Sequence, residues 1–111
     1  MGTSRSPEQG WRVSVDIFSG RPNPSWAIAE SVGRRLASEW QALPVWTGKR
    51  PAAPPLGYRG IRVAAPDGRV WLAFEGIVSL DGDEVRKDAS RSFERSVIKS
   101  APAGTLPEIA I

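Results

Sequence analysis

The chain has 111 residues, a length at which one hydrophobic core is expected and a second independent core is not. Apolar residues make up 41% of the sequence, charged residues 24%, and five Trp supply large apolar surfaces of the kind that disordered chains lack. Cys and His are both absent, which excludes disulfides, thiolate nucleophiles, the usual zinc sites and an imidazole base. We therefore expect one cofactor-free domain, in which any catalysis would use carboxylates, hydroxyls, Lys, Tyr or Arg.

The ends of the chain differ from its middle. Residues 1–10 are polar and aperiodic, which predicts a flexible N-terminal arm with no signal peptide. No later segment approaches membrane-spanning length, so we expect a cytoplasmic protein without a membrane partner. A single domain is predicted over residues 11–102, followed by a C-terminal tail over residues 103–111 that is either disordered or docks on an edge as a short strand.

A strand-turn-helix unit is predicted from Trp11 to Leu43. Apolar and polar residues alternate from Trp11 to Ile17, as they do in a strand with one buried face. Turn residues follow, and Asn23 as N-cap with Pro24 at the first helical position predicts the start of a helix. An apolar stripe at helical spacing then runs to Leu43 and includes Ala29, Val32, Leu36 and Trp40.

The rest of the chain predicts a hairpin and a second helix. Two apolar runs, residues 61–65 and 70–74, flank the turn Pro66-Asp67-Gly68. Gly76 is predicted to form a bulge, after which residues 77–80 extend the strand or begin another. A last helix is predicted from Asp88, with Phe93 and Val97 buried. This order, β-α-β-β-(β)-α, predicts a two-layer α+β fold: a small, mainly antiparallel sheet with two helices on one face.

The turn between the first strand and helix is the densest candidate site. A helix N-terminus presents free backbone N–H groups, and Arg21 beside it adds a forked donor for a carboxylate or phosphate, with Ser19 and Asn23 nearby. A purely structural interpretation competes with this one, because Asn23 can cap the helix and Arg21 can pair with Asp16 to hold the loop.

Two aromatic groups extend the candidate site. Trp46 lies in a Pro-rich loop and is the best candidate for an exposed indole, ahead of Trp26 and Trp71, although packing under its own loop is at least as consistent with the sequence. Tyr58 and Arg59 stand at the entry to a strand and would face the Arg21 loop if the two strands are neighbours.

These residues predict a small non-catalytic accessory or binding domain for a peptide, a protein partner or a small anionic ligand. One alternative is a cofactor-free isomerase or lyase with Asp16 as base and Arg21 or Tyr58 stabilising negative charge. A weak nucleic-acid binder is another, which the scattered positions of the basic residues disfavour. An edge strand and the apolar tail make a homodimer a further candidate. No metal site is predicted, because the acidic turn Asp81-Gly82-Asp83-Glu84 lacks the spacing of a calcium loop.

Overall fold

The computed structural model describes residues 10–16, 23–49 and 59–106. Within these ranges the chain forms an antiparallel sheet and two helices, which confirms the predicted α+β class. The elements in chain order are β1 (Arg12–Val15), β2 (Ser25–Ala27), α1 (Glu30–Gln41), β3 (Ile61–Ala64), β4 (Val70–Phe74), β5 (Ile77–Leu80), β6 (Glu84–Lys87) and α2 (Ser92–Lys99). The predicted N-terminal arm, apart from Gly10, lies outside the described residues, and so does the tail after Leu106.

The six strands follow the order β2-β1-β3-β4-β5-β6, and each neighbouring pair is antiparallel. Beyond β6 the chain continues the sheet, because Val45 forms a bridge with Arg86. Two hydrogen bonds hold this bridge, from Trp46 N–H to the Val85 carbonyl and from Lys87 N–H to the Pro44 carbonyl, both 2.8 Å long. Helix α1 therefore carries the chain from the β2 edge of the sheet to the opposite edge.

The predicted start of the first helix is wrong. Asn23 and Pro24 do not begin it: residues 25–27 form strand β2, and α1 starts at Glu30. The backbone around β2 is used for pairing with β1, since Val15 N–H donates to the Pro24 carbonyl (3.0 Å) and Ile28 N–H to the Trp11 carbonyl (3.1 Å). These bonds satisfy the polar groups of both segments, and tertiary pairing overrides the local capping signal.

The β3–β4 hairpin has the predicted turn, whereas the β4–β5 hairpin differs from the prediction. The turn at residues 66–68 joins β3 to β4 as predicted. Gly76 does not form a bulge: Phe74 pairs with Ile77, so Glu75 and Gly76 form a two-residue turn. Both have positive φ, 48° and 80°, as a type I′ turn requires. Strand β6 was not predicted, because Glu84, Arg86 and Lys87 leave it without apolar alternation.

The core lies between one face of the sheet and both helices, as predicted. Alternate residues of β1, β3 and β4 point to the same side and are buried. Helix α1 contributes Leu36 and Trp40 to this core, and α2 contributes Phe93 and Val97. Across the described ranges, neither helix has the length and apolarity that a membrane crossing needs.

Trp11 joins α1 to the sheet. Its indole stacks on that of Trp71, with ring centroids 5.7 Å apart and planes inclined by 19°. The same indole meets the backbone of α1 at Gly33, where an added Cβ atom would overlap the ring. Glycine is therefore required in the middle of this helix by close packing, at the expense of helix propensity.

We expect Gly33→Ala to destabilise the protein by about 1–3 kcal/mol, because the overpacking against Trp11 exceeds the ~1 kcal/mol that Ala gains in helix propensity. Urea unfolding measures the difference. Ser38→Ala, at an exposed position of the same helix, is the control and should not destabilise. A Gly33→Ala variant more stable than the parent chain would contradict the packing.

The predicted cap position of the second helix is wrong, because the helix begins at Ser92 and its N-cap is Arg91, but the Asp88 side chain still binds the first turn of this helix. Asp88 is 1% exposed, and its carboxylate accepts the backbone N–H groups of Ser92 (3.1 Å) and Phe93 (2.7 Å). It thus satisfies two of the free donors at the start of α2.

We expect Asp88→Ala to lower the free energy of unfolding by at least ~2 kcal/mol, since buried N–H groups would lose their acceptor. Asp83→Ala, on an exposed turn, serves as the matched control and should change stability by less than ~0.5 kcal/mol. Equal losses in the two variants in urea unfolding would refute the capping role.

Candidate functional site

Part of the predicted loop site converges at the end of β1. Asp16 accepts an ion-paired hydrogen bond from Arg59 Nη2 (2.8 Å) and a bond from Asn23 Nδ2 (3.4 Å). Arg59 N–H also donates to the Asp16 carbonyl at 2.7 Å. The predicted neighbourhood of Arg59 and the first loop is thus observed for Asp16 and Asn23. The other members of this candidate site, Ser19, Arg21 and Tyr58, lie outside the described residues.

The two candidate indoles lie elsewhere. Trp26 is 4% exposed and donates from Nε1 to Ser100 Oγ at 2.9 Å, so it belongs to the core and not to a surface site. Trp46 is half-buried, packs against Gly48 and donates to the Lys49 carbonyl at 3.3 Å. Its loop lies beyond β6, so four strand spacings, roughly 19 Å, separate it from the strand that follows Arg59. Trp46 and Arg59 therefore do not share one concave surface.

An open sheet face extends from the Asp16 cluster. We use this name for the residues of β1 to β4 that alternate with the buried core residues, namely Arg12, Ser14, Ser25, Ala27, Arg62, Ala64, Val70, Leu72 and Phe74. They occupy the side of the sheet opposite to the helices, and Leu72 is 48% exposed. Arg12, Ser14, Ser25 and Arg62 surround a shallow recess of about 250 Å³.

The open sheet face carries positive charge without a matching carboxylate. Arg12 lies opposite Ala64 and Ser14 opposite Arg62, which makes the two Arg diagonal neighbours about 7–8 Å apart on adjacent strands. Arg12 donates to Ser25 Oγ at 3.2 Å. Within the described part of the chain, neither Arg forms an ion pair, and the nearby Asp16 carboxylate is taken by Arg59.

A second cavity lies on the helix-covered side of the sheet. It is a groove between α1 and the β3–β4 hairpin, which we call the tryptophan groove. Its outer part, about 150 Å³, and its inner part, about 200 Å³, share the residues Trp11, Arg34 and Arg69. Trp40 and Trp71 complete the inner part. The Nε1 atom of Trp71 is buried and has no hydrogen-bond partner.

Asp67 positions Arg69 at the rim of this groove. Its carboxylate accepts Arg69 N–H (3.0 Å) and Arg69 Nε (2.9 Å). The backbone hydrogen bond and the guanidinium of Arg69 lower the pKa of the Asp67 carboxyl below its usual value of 3.8. Arg69 in turn covers the Trp71 ring, with its guanidinium carbon 5.0 Å from the ring centroid.

Sequence reasoning missed both cavities. Arg12 and Arg62 occupy the polar positions of two alternating strands, a signal visible in the sequence, but only the pairing of β1 with β3 brings them together. Trp71 and Arg69 follow a predicted turn, and nothing in the sequence places α1 above them.

In the acidic turn, the Asp81 carboxylate accepts the Val70 N–H at 2.9 Å, and Glu84 forms an ion pair with Arg86. In the described ranges no cluster of three potential metal ligands occurs.

Comparisons with known proteins give no family. The chain matches no protein-family model, and no curated protein and no solved structure is similar to it. The class that the fold defines is a two-layer α+β domain with one sheet face open, and the functional argument depends on the geometry of that domain.

The contact between Asp67 and Arg69 is tested by the pH dependence of the thermal stability of the Asp67→Asn variant. Because the pKa of Asp67 is lowered by folding, its stabilising effect is complete above 3.8, the usual Asp value, and is lost as the pH falls through the lowered value. We expect the variant to have a lower Tm than the parent at about pH 7 and the same Tm well below pH 3.8. Asp83→Asn, measured by the same thermal scans, should show no such convergence, and a pH-independent difference for Asp67→Asn would contradict the assignment.

Proposed function

We propose that the protein is a non-catalytic binding domain that holds an acidic segment of a partner protein on its open sheet face. The observation that carries this proposal is the pair Arg12 and Arg62, exposed on adjacent strands and without an ion pair in the described part of the chain. The backbone positions of these two Arg are about 7–8 Å apart. Alternate residues on one side of an extended segment are roughly 6.6 Å apart, so two carboxylates at such positions can each meet one guanidinium.

The shape of this face favours a protein segment over a small molecule. The recess of about 250 Å³ is shallow and continuous with the exposed Leu72, so it offers a broad contact with an apolar anchor beside the charges. A small ligand would contact only the few residues around this recess. A partner segment, in contrast, gains from a flat surface with a few charged contacts that set its orientation.

Nucleic-acid binding and catalysis have less support. The open sheet face carries two Arg, Arg12 and Arg62, in the described part of the chain, fewer than the clustered basic side chains of a nucleic-acid footprint. For catalysis, the Asp16 carboxylate is held by Arg59 and Asn23 and lines none of the three cavities described above. The ion pair with Arg59 gives the Asp16 carboxylate a structural role. This ion pair does not support a role for Asp16 as a general base. We also propose the cytoplasm as the location, a reducing compartment that fits a sequence without Cys.

Binding to the acidic partner is tested with a labelled synthetic peptide that alternates Glu with Leu, measured by fluorescence polarisation. We expect Arg12→Gln and Arg62→Gln each to weaken binding about three- to tenfold, because each removes one charge-assisted contact. Affinity should also fall as salt rises, since the charges are exposed.

Arg35→Gln is the matched control, because it removes the same charge from the exposed side of α1, where Arg35 lies 3.7 Å from Glu39. It should leave the affinity unchanged. Equal weakening by Arg35→Gln would mean unspecific charge attraction. A second peptide has Gln in place of each Glu. The proposal would be overturned if this neutral peptide bound with the same affinity as the acidic one. It would also be overturned if the protein bound a poly-dT oligonucleotide in preference to the acidic peptide.

A further inference from the structure

We infer that the inner part of the tryptophan groove is a second binding site, for a small carboxylate with an apolar body. This site lies on the helix-covered side of the sheet, whereas the open sheet face lies on the opposite side. The two sites share no charged residue. The inference therefore goes beyond the proposed function and can fail or hold without it.

The floor of the inner groove is apolar and rigid. It is formed by Trp11, Trp40 and Trp71 with Ala37 and Leu80 beside them. Trp11 contacts both Trp71 and the α1 backbone at Gly33, so this floor does not collapse into the available space. A volume of about 200 Å³ lies below the roughly 300–1,000 Å³ of pockets for drug-sized ligands, which indicates a small occupant.

The charged side chains that line the inner groove are Arg34 and Arg69, and the neutral polar side chains are Ser38 and Gln41. Arg34 engages one nitrogen with Glu30 (2.6 Å), and Arg69 engages its Nε with Asp67 while its guanidinium covers Trp71. Each guanidinium thus keeps further N–H groups that no protein acceptor takes. Trp71, which lines the same groove, has a buried Nε1 without a partner, and buried donors are almost always satisfied.

No carboxylate lines the inner groove within the described residues, although Glu30 and Asp67 line the outer part. Both of those carboxylates are already bound to the Arg side chains. An occupant that supplies acceptors and negative charge is therefore complementary to the inner groove. A carboxylate fits better than a phosphate, because a single charge costs less to transfer onto an apolar floor than a double charge.

The site is tested on the ¹⁵N-labelled full chain by NMR, with benzoate as the probe and benzamide as its neutral counterpart. Five Trp give five indole N–H signals, and Trp71→Phe identifies the one from Trp71. We expect benzoate to shift the Trp71 indole signal in a saturable manner, and the Trp26 and Trp46 signals to stay in place because their N–H groups already have acceptors. Benzamide should cause no saturable shift.

Arg34→Gln and Arg69→Gln should each weaken benzoate binding by about tenfold, the loss of one hydrogen bond to a charged group. Arg62→Gln, which removes the same charge from the open sheet face, should leave it unchanged. The inference is overturned if the Trp71 signal does not move, if benzamide shifts it as benzoate does, or if Arg62→Gln weakens binding as much as Arg69→Gln. Because Arg34→Gln should not affect the acidic peptide, failure at one site is distinguishable from failure at the other.

Discussion

The contact of Trp11 with both Trp71 and the α1 backbone is the constraint on which the other features depend. It places a large indole between sheet and helix at a point where only a glycine, Gly33, leaves room for it. Because this residue and the alternate positions after it point inwards, Arg12 and Ser14 must point to the other side of the strand. One packing contact therefore decides which residues of β1 are available to solvent.

The same contact shapes the two candidate sites. On the covered side, the stacked indoles of Trp11 and Trp71 line the tryptophan groove between α1 and the β3–β4 hairpin. On the open side, the sheet has no helix layer, and its Arg side chains stay exposed without ion pairs in the described part of the chain. Ion pairing is used elsewhere to fix local structure, as Arg91 does with the buried Glu94. The uncompensated positive charge is thus concentrated where a partner can reach it.

Local signals predicted the fold wherever they agreed with tertiary pairing. The alternation in β1, β3 and β4, the turn at Asp67 and the role of Asp88 at the start of α2 were all recognisable, because each depends on residues close in the chain. The start of α1 was not, since Asn23 and Pro24 satisfy the rules for a helix start while their neighbours gain more by pairing with β1. Strand β6 was missed for a related reason: polar residues on both of its faces carry no alternation, and only the pairing with β5 defines it.

The candidate site also combines features that the sequence predicts with features that only the tertiary structure sets. The sequence by itself determined the α+β class and the absence of Cys and His, and it placed Asp16 and Arg59 in one candidate region. Only the tertiary structure decided that Trp26 is core, that Trp46 and Arg59 lie far apart, and that Arg12 and Arg62 are neighbours. The physical reason is the range of the interactions involved. Periodicity and capping act over a few residues, whereas the neighbours of a surface charge are set by strand order, which brings together residues fifty positions apart in the chain.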